Sequence, residues 1–400
     1  MFETTADTRW GDLMANIKDR LYAKASKRRA PLTGAFELTP MCNFACKMCY
    51  VRKNVKEVKA LGGLLPLEFW LDIARQSAKA GTMFPLITGG EPFSYPYIQE
   101  LYEAMIDLGM QVSINSNASL IDEKIIEWLV KRPPERINIT LYGASNATYE
   151  RLCGDPHGFD KVKRAVDLLY KHNIRFKFNC SLTPYNKDDL EDMLLFAKSY
   201  GLSLRIATYM FPPVRREISS NEFNERFTPE QAAYYQVLVD YYQLPDEQFA
   251  VLANNAANYV HLTDEILEEA KAKGPQEMIC LAGRCSFWID WRGNLSGCGT
   301  VDIPKFSLLE GSLEEQWKKI VDYTNEFKYS PVCTNCINKT VCHSCSAMVY
   351  TETGNFNDRP VYICETKEYA AKYYQDFLKN PPKKLDLDGI QTEINQDCEI

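Results

Sequence analysis

Six short apolar runs, each followed by a helical stretch, constrain this chain more than any other feature. They read at 34–38 (GAFEL), 83–88 (MFPLIT), 111–115 (QVSIN), 136–141 (RINITL), 175–182 (RFKFNCSL) and 203–209 (SLRIATY). Between them lie amphipathic stretches such as LEFWLDIARQSAKA, YIQELYEAMIDLG and FDKVKRAVDLLYKH, whose apolar residues recur at helical spacing. A helix between two strands carries the chain back, so successive strands lie parallel. The expected fold class is α/β, with a parallel sheet that is open or part of a barrel.

Residues 1–33 read as an N-terminal helical extension, with Trp10, Leu13, Met14, Ile17 and Leu21 at helical spacing, and 34–215 as the strand–helix body. The rhythm breaks near 211 at FPPVRREISSNEF, and 216–279 reads as a helical, aromatic-rich bridging region. From 280 to 370, cysteines, glycines and short strands suggest a small metal-organised domain, followed by a helix end and polar tail over 371–400.

The formal net charge of −7 gives no reason to expect nucleic acid as the main partner. A local basic stretch, KASKRRAP at 24–31, reads as a solvated helix end. No run approaches the roughly 20 apolar residues of a membrane span, and the charged N-terminus lacks an apolar signal core. The expectation is a cytoplasmic protein with no membrane contact.

Fourteen cysteines are many for such a chain, and eleven of them fall in two groups. In a reducing compartment that clustering means metal or iron–sulfur ligation, not a disulfide framework. The first group, Cys42, Cys46 and Cys49 in CNFACKMC, directly follows the first strand, where parallel strands open onto an active face. Zinc is the competitor, but structural zinc takes four closed ligands, and residues 50–152 hold neither cysteine nor histidine. Three thiolates with one position open suit a [4Fe–4S] cluster with one exposed iron.

This C-x3-C-x2-C loop resembles the signature of the radical S-adenosylmethionine (SAM) enzymes. The resemblance implies a partial (β/α)6 TIM-like barrel and an exposed iron that chelates the amino and carboxylate groups of SAM. It also implies that the reduced cluster passes one electron to the sulfonium, giving a 5′-deoxyadenosyl radical. Further positions match the family. Gly89, Gly90, Glu91 and Pro92 resemble its GGEP motif, with Glu91 placed to accept from the SAM ammonium. Asn117 matches a ribose-contacting position usually followed by glycine, here Ala118. Thr140 matches a SAM-contacting position on the fourth strand, and Asn179 lies on the polar face of the fifth. Met48 stands where relatives carry an aromatic residue before the last cysteine, and a thioether can pack over adenine.

The second group comprises Cys280, Cys285, Cys298, Cys333, Cys336, Cys342, Cys345 and Cys364. It resembles the SPASM domain, the auxiliary-cluster extension of peptide-modifying radical SAM enzymes. Eight thiols suit two closed [4Fe–4S] clusters, making three in all, although two zinc sites need the same number. The resemblance implies that Cys280, Cys285, Cys298 and Cys345 bind the cluster nearer the barrel. Cys333, Cys336, Cys342 and Cys364 would bind the outer one. The spacing from Cys342 to Cys345 is one residue shorter than in relatives, which makes Cys345 the least secure ligand. Cys153, in the loop RLCGDPHG, reads as an ordinary loop thiol in preference to a radical hydrogen donor, Cys180 as a buried small hydrophobe, and His343 as a spacer.

What the resemblance implies is an oxidoreductase that modifies a ribosomally made peptide or protein, closing a thioether or carbon–carbon cross-link. Its electron donor would be of the flavodoxin or ferredoxin kind. The 33 residues before the first strand are too few for the leader-binding domain of many relatives, so leader recognition would fall to a separate leader-peptide-binding protein. The alternatives are a sulfatase-maturing enzyme forming formylglycine and a peptide epimerase. Maturases carry an aspartate, the presumed base, where this chain has Gly299, so no catalytic base is identified. From another class, the chain could be a non-catalytic iron–sulfur electron-transfer protein or a zinc scaffold.

Overall fold

The computed structural model describes residues 6–213, 225–277, 280–301, 303–342 and 344–387. Helix α1 (Ala6–Arg28) leads into six strands: β1 (Thr33–Glu37), β2 (Phe84–Thr88), β3 (Ser113–Ser116), β4 (Arg136–Thr140), β5 (Phe176–Ser181) and β6 (Leu204–Ala207). Helices α2 (Val55–Ala60) and α3 (Leu67–Ala80) follow β1, α4 (Ile98–Asp107) follows β2, and α5 (Glu123–Lys131) follows β3. Helices α6 (Asn146–Cys153) and α7 (Gly158–Lys171) follow β4, and α8 (Leu190–Ser199) follows β5. After β6 come α9 (Pro229–Gln243), α10 (Asp246–Ala256) and α11 (Asp264–Ala272). The C-terminal part holds β7 (Gln276–Glu277), β8 (Ser286–Ile289), β9 (Asn294–Ser296), β10 (Lys305–Ser307), α12 (Leu313–Glu326) and β11 (Lys328–Tyr329). It closes with α13 (Pro331–Thr334), α14 (Ser346–Thr353) and α15 (Val361–Lys379).

Strands β1 to β6 pair in chain order and in parallel, with registers such as Thr33↔Phe84 and Thr140↔Asn179. Among the described residues β6 ends the sheet, so the barrel is open. The other edge of β1 is taken by β8, also parallel, and β9 and β10 extend the sheet by antiparallel pairing. The sheet therefore runs on into the cysteine-rich part of the chain. Gly34 makes this junction possible: a Cβ there would lie 2.0 Å from the ring of Phe287, which covers the strand.

Period-two alternation sorts the two faces. Phe36 packs at 6.3 Å from Trp70 of α3, and Phe178 at 5.7 Å from Phe196 of α8, so this face meets the helices. Ile137 and Ile139 lie in register with Phe176 and Phe178 and are fully buried on the same side. Each such side chain contributes about 1.5–3 kcal/mol by leaving water. The opposite, lumen face carries half-buried polar residues, among them Asn138, Thr140 and Asn179.

Candidate active site

The three-cysteine loop is stitched to the barrel by its backbone. Ala45 N–H donates to the Cys153 carbonyl at 2.7 Å and Lys47 N–H to that of Leu152 at 3.1 Å, which ties the loop to the end of α6. Phe44 is buried edge-on against Tyr149, with ring centroids 5.8 Å apart. Within the loop, Phe44 N–H points at Cys42 Sγ (3.4 Å) and Arg52 N–H at Cys49 Sγ (3.3 Å). Such donors favour the charged thiolate. All three cysteines are free and half-buried.

Their ionisation differs. Burial pushes the Cys42 thiol up to about 12. Cys46 is held below the ordinary thiol range, first by a hydrogen bond from the Cys153 thiol and further by the Tyr142 hydroxyl, against the effect of its own burial. Cys153 is raised in turn, first by the same contact, in which its thiol is the donor, and then by burial. The sequence places Cys153 in a loop; the structure corrects this. It is the last residue of α6, fully buried, because Gly154 takes the left-handed cap (φ 71°) one residue later.

The turn after β2 sits hard against this loop. Gly90 N–H donates to the Thr39 carbonyl at 2.6 Å, and a Cβ on Gly90 would lie 2.3 Å from the Met41 oxygen. Only glycine permits that approach. Glu91 is fully buried, and its carboxylate accepts from Ser116 Oγ (2.8 Å), Asn117 N–H (2.8 Å) and Phe93 N–H (3.1 Å). Burial raises it to about 7, with these bonds opposing. Glu91 thus fastens the β2 and β3 turns together.

Asn117 continues the bracket, its Nδ2 donating to Asn43 Oδ1 at 3.1 Å and lying 3.6 Å from Cys42 Sγ. Ala118 takes φ 62°, so the turn adopts the glycine-like geometry without a glycine. Pro92 opens a short 3-10 turn after Glu91. Thr140 and Asn179 are register partners across β4 and β5 on the lumen face. Met48 is 7% exposed and packs in the main core, offering little surface.

Among the described residues, no three His, Cys, Asp or Glu side chains gather tightly enough for one metal ion. A cubane takes its thiolates on separate irons, and three free thiols on one anchored loop, with N–H groups aimed at two of the sulfurs, fit that donor set.

The C-terminal thiols fall into two mutually interacting sets. Cys345 feels Cys298 and Cys280, Cys280 feels Cys298, and Cys285 feels Cys280. Cys333 feels Cys364 and Cys342, while Cys336 and Cys364 both feel Cys342. Burial is the largest influence on Cys280, Cys285, Cys333, Cys336, Cys345 and Cys364, and it pushes Cys285, Cys333 and Cys345 each to about 11. Backbone N–H groups again face sulfur, from Ala282 to Cys280 (3.4 Å) and from Asn338 to Cys336 (3.4 Å). His343 and Cys398 lie outside the described residues, and Cys180 is buried in the core.

Gly299 has a structural reason. A Cβ at this position would lie 2.5–2.6 Å from three atoms of the Trp288 indole. That indole donates through Nε1 to Glu37 Oε2 at 3.0 Å, and Glu37, the last residue of β1, is 1% exposed. Sequence reading did not single out Glu37, Ser116 or Tyr142. Their shared signal is position at or just beyond the C-terminal end of a parallel strand. Asp290 is committed to a turn, bonding Arg292 N–H (2.9 Å) and Asn294 N–H (3.0 Å) and pairing with Lys305 (3.0 Å).

Comparison with known proteins places these features. Residues 36–197 match the model of the radical SAM superfamily. An AdoMet-dependent heme synthase of Methanosarcina barkeri is 23% identical over 83% of this chain and 96% of its own length. The subtilosin biosynthesis protein AlbA of Bacillus subtilis is 25% identical over 43% of this chain and 38% of its own. Among solved structures, SuiB of Streptococcus suis superposes with a TM-score of 0.60 at 17% identity, covering 85% of this chain and 80% of SuiB. SuiB has also been solved with S-adenosylmethionine and with its precursor peptide SuiA.

Proposed function

The chain carries a radical SAM superfamily domain over residues 36–197, and on that premise we propose that it oxidatively modifies a ribosomally made peptide, closing a thioether or carbon–carbon cross-link. The observation that carries this reading is the anchored, open three-thiol loop together with eight further free cysteines in the C-terminal part. Two closed auxiliary clusters and one open cluster are the equipment of that chemistry, and the fold shared with SuiB supports it.

In this reading residues 34–215 form the SAM-binding barrel, 216–279 bridge it, and 280–370 hold the auxiliary clusters. Cys42, Cys46 and Cys49 would hold a [4Fe–4S] cluster, which when bound supplies the electron that cleaves SAM into methionine and the hydrogen-abstracting adenosyl radical. The protein's own part is positioning. Gly89 and Gly90 let the backbone approach the methionyl group, and Glu91, already fixed by Ser116 and Asn117, presents a carboxylate to its ammonium. Asn117 spans from that carboxylate to Cys42, so the two halves of the site move together. Thr140 and Asn179 offer paired polar groups on the lumen wall. Formylglycine formation fits less well, since Trp288 fills the space a side chain at 299 would need.

The alignment with an AdoMet-dependent heme synthase over 83% of the chain favours a second reading, SAM-dependent conversion of a precursor to heme. Anaerobic incubation of the loaded, reduced protein with SAM separates the two. A short cysteine-rich peptide encoded beside the gene should lose a hydrogen pair by mass spectrometry. Conversion of a heme precursor, with the peptide unchanged, would overturn the peptide reading.

A further inference from the structure

The three-thiol loop runs directly into an unusual surface. Residues 47–61 carry five cations (Lys47, Arg52, Lys53, Lys56, Lys59) against one acid, Glu57, in a chain whose net charge is −7. Among the described residues that acid pairs with none of them: its carboxylate accepts from Asn54 N–H at 2.7 Å and closes the capping box of α2, leaving the stretch net positive. Arg52, Lys53, Lys56 and Lys59 form no ion pair among the described residues. Interleaved with them are large apolar side chains left in water, Val55 (56% exposed), Leu61 (41%) and Tyr50 (39%).

Apolar groups ringed by charge of one sign are the composition of a protein-binding patch. The patch is also rigid: Val51 and Val58 are buried against Trp291, which fixes α2 to the turn after β8. It adjoins the cluster loop itself, because Arg52 N–H lies 3.3 Å from Cys49 Sγ.

We infer that this face docks an acidic one-electron carrier protein, a partner for the site proposed above, and the inference rests on that reading. A cluster at Cys42, Cys46 and Cys49 must receive its electron from outside, and electron transfer falls steeply with distance. The carrier loses one electron and the cluster gains one; no bond is made or broken at this surface. A carrier of opposite charge would be steered here, which raises association rates by about 10–1,000-fold at low salt.

The test uses a recombinant, strongly acidic bacterial flavodoxin and a variant carrying Lys53→Glu, Lys56→Glu and Lys59→Glu, with a glutamine triple variant beside it. Binding of oxidised flavodoxin to the loaded enzyme is measured by calorimetry, which needs no turnover. Wild-type binding should weaken with salt; the glutamate variant should bind at least about tenfold more weakly at low salt, with glutamine between. Formation of 5′-deoxyadenosine driven by dithionite should be the same in all three, whereas that driven by reduced flavodoxin should fall with affinity. Unchanged flavodoxin binding, or loss confined to binding of an acidic peptide, would overturn the docking inference. Failure of dithionite to drive SAM cleavage in the wild type would instead sink the radical SAM reading.

Discussion

Replacing Gly299 by alanine tests the packing that separates this site from one with a base at that position. The new Cβ would stand 2.5–2.6 Å from the Trp288 ring, well inside contact distance, so the indole must shift. Overpacking of this kind costs about 1–3 kcal/mol. Moving the indole also breaks its 3.0 Å bond to Glu37, and leaving that buried group short of a donor costs about 1–3 kcal/mol more. We expect Gly299→Ala to lose about 2–6 kcal/mol in all. In a Trp288→Phe background the smaller ring leaves room, and the same substitution should cost at least about 1 kcal/mol less. Urea unfolding followed by circular dichroism, under anaerobic reducing conditions, measures both. A Gly299→Ala protein as stable as wild type, or costs that simply add, would refute the argument. On the same grounds Gly299→Asp alone should not create formylglycine-forming activity.

Glu91→Gln removes a carboxyl raised from 4.5 to about 7 by burial. A raised folded pKa contributes stability that is present below pH 4.5 and lost as pH rises through 7. Between pH 5 and 8 the cluster-free wild type should therefore lose about 2–3 kcal/mol that the glutamine variant does not, at about 1.4 kcal/mol per unit; parallel urea-unfolding profiles would contradict this. Ala118→Gly relieves a left-handed residue at φ 62° and should stabilise by about 0.5–1 kcal/mol, read from the unfolding midpoint. Cys345→Ala should cost about four irons per chain by metal analysis after anaerobic loading. Full iron in that variant would remove Cys345 from its set.

The strands were legible because each carries its own two-residue alternation; in β4 and β5 Ile137, Ile139, Phe176 and Phe178 announce the helix-facing side. The three-thiol loop was legible because its residues are neighbours in sequence. What could not be read are contacts between distant segments. The parallel pairing of β8 with β1 joins residues about 250 apart and depends on Phe287 fitting over Gly34. The bond from Cys153 to Cys46 depends on how α6 ends, and the hold of Trp288 on Glu37 on that same β8 register. Ala118 shows the opposite case. Its sequence argues against a left-handed turn, yet the bonds around Asn117 and Glu91 impose one at a local cost.

The central claim is that Cys42, Cys46 and Cys49 hold the cluster that cleaves SAM, and its most direct measurement is 5′-deoxyadenosine formation with iron analysis on the same samples. After anaerobic reconstitution and dithionite reduction, the wild type should contain about twelve irons, four per cubane, and release 5′-deoxyadenosine from SAM. The triple alanine variant should contain about eight and release none. Continued cleavage of SAM by that variant, or a wild type that loads zinc in place of iron, would contradict the account.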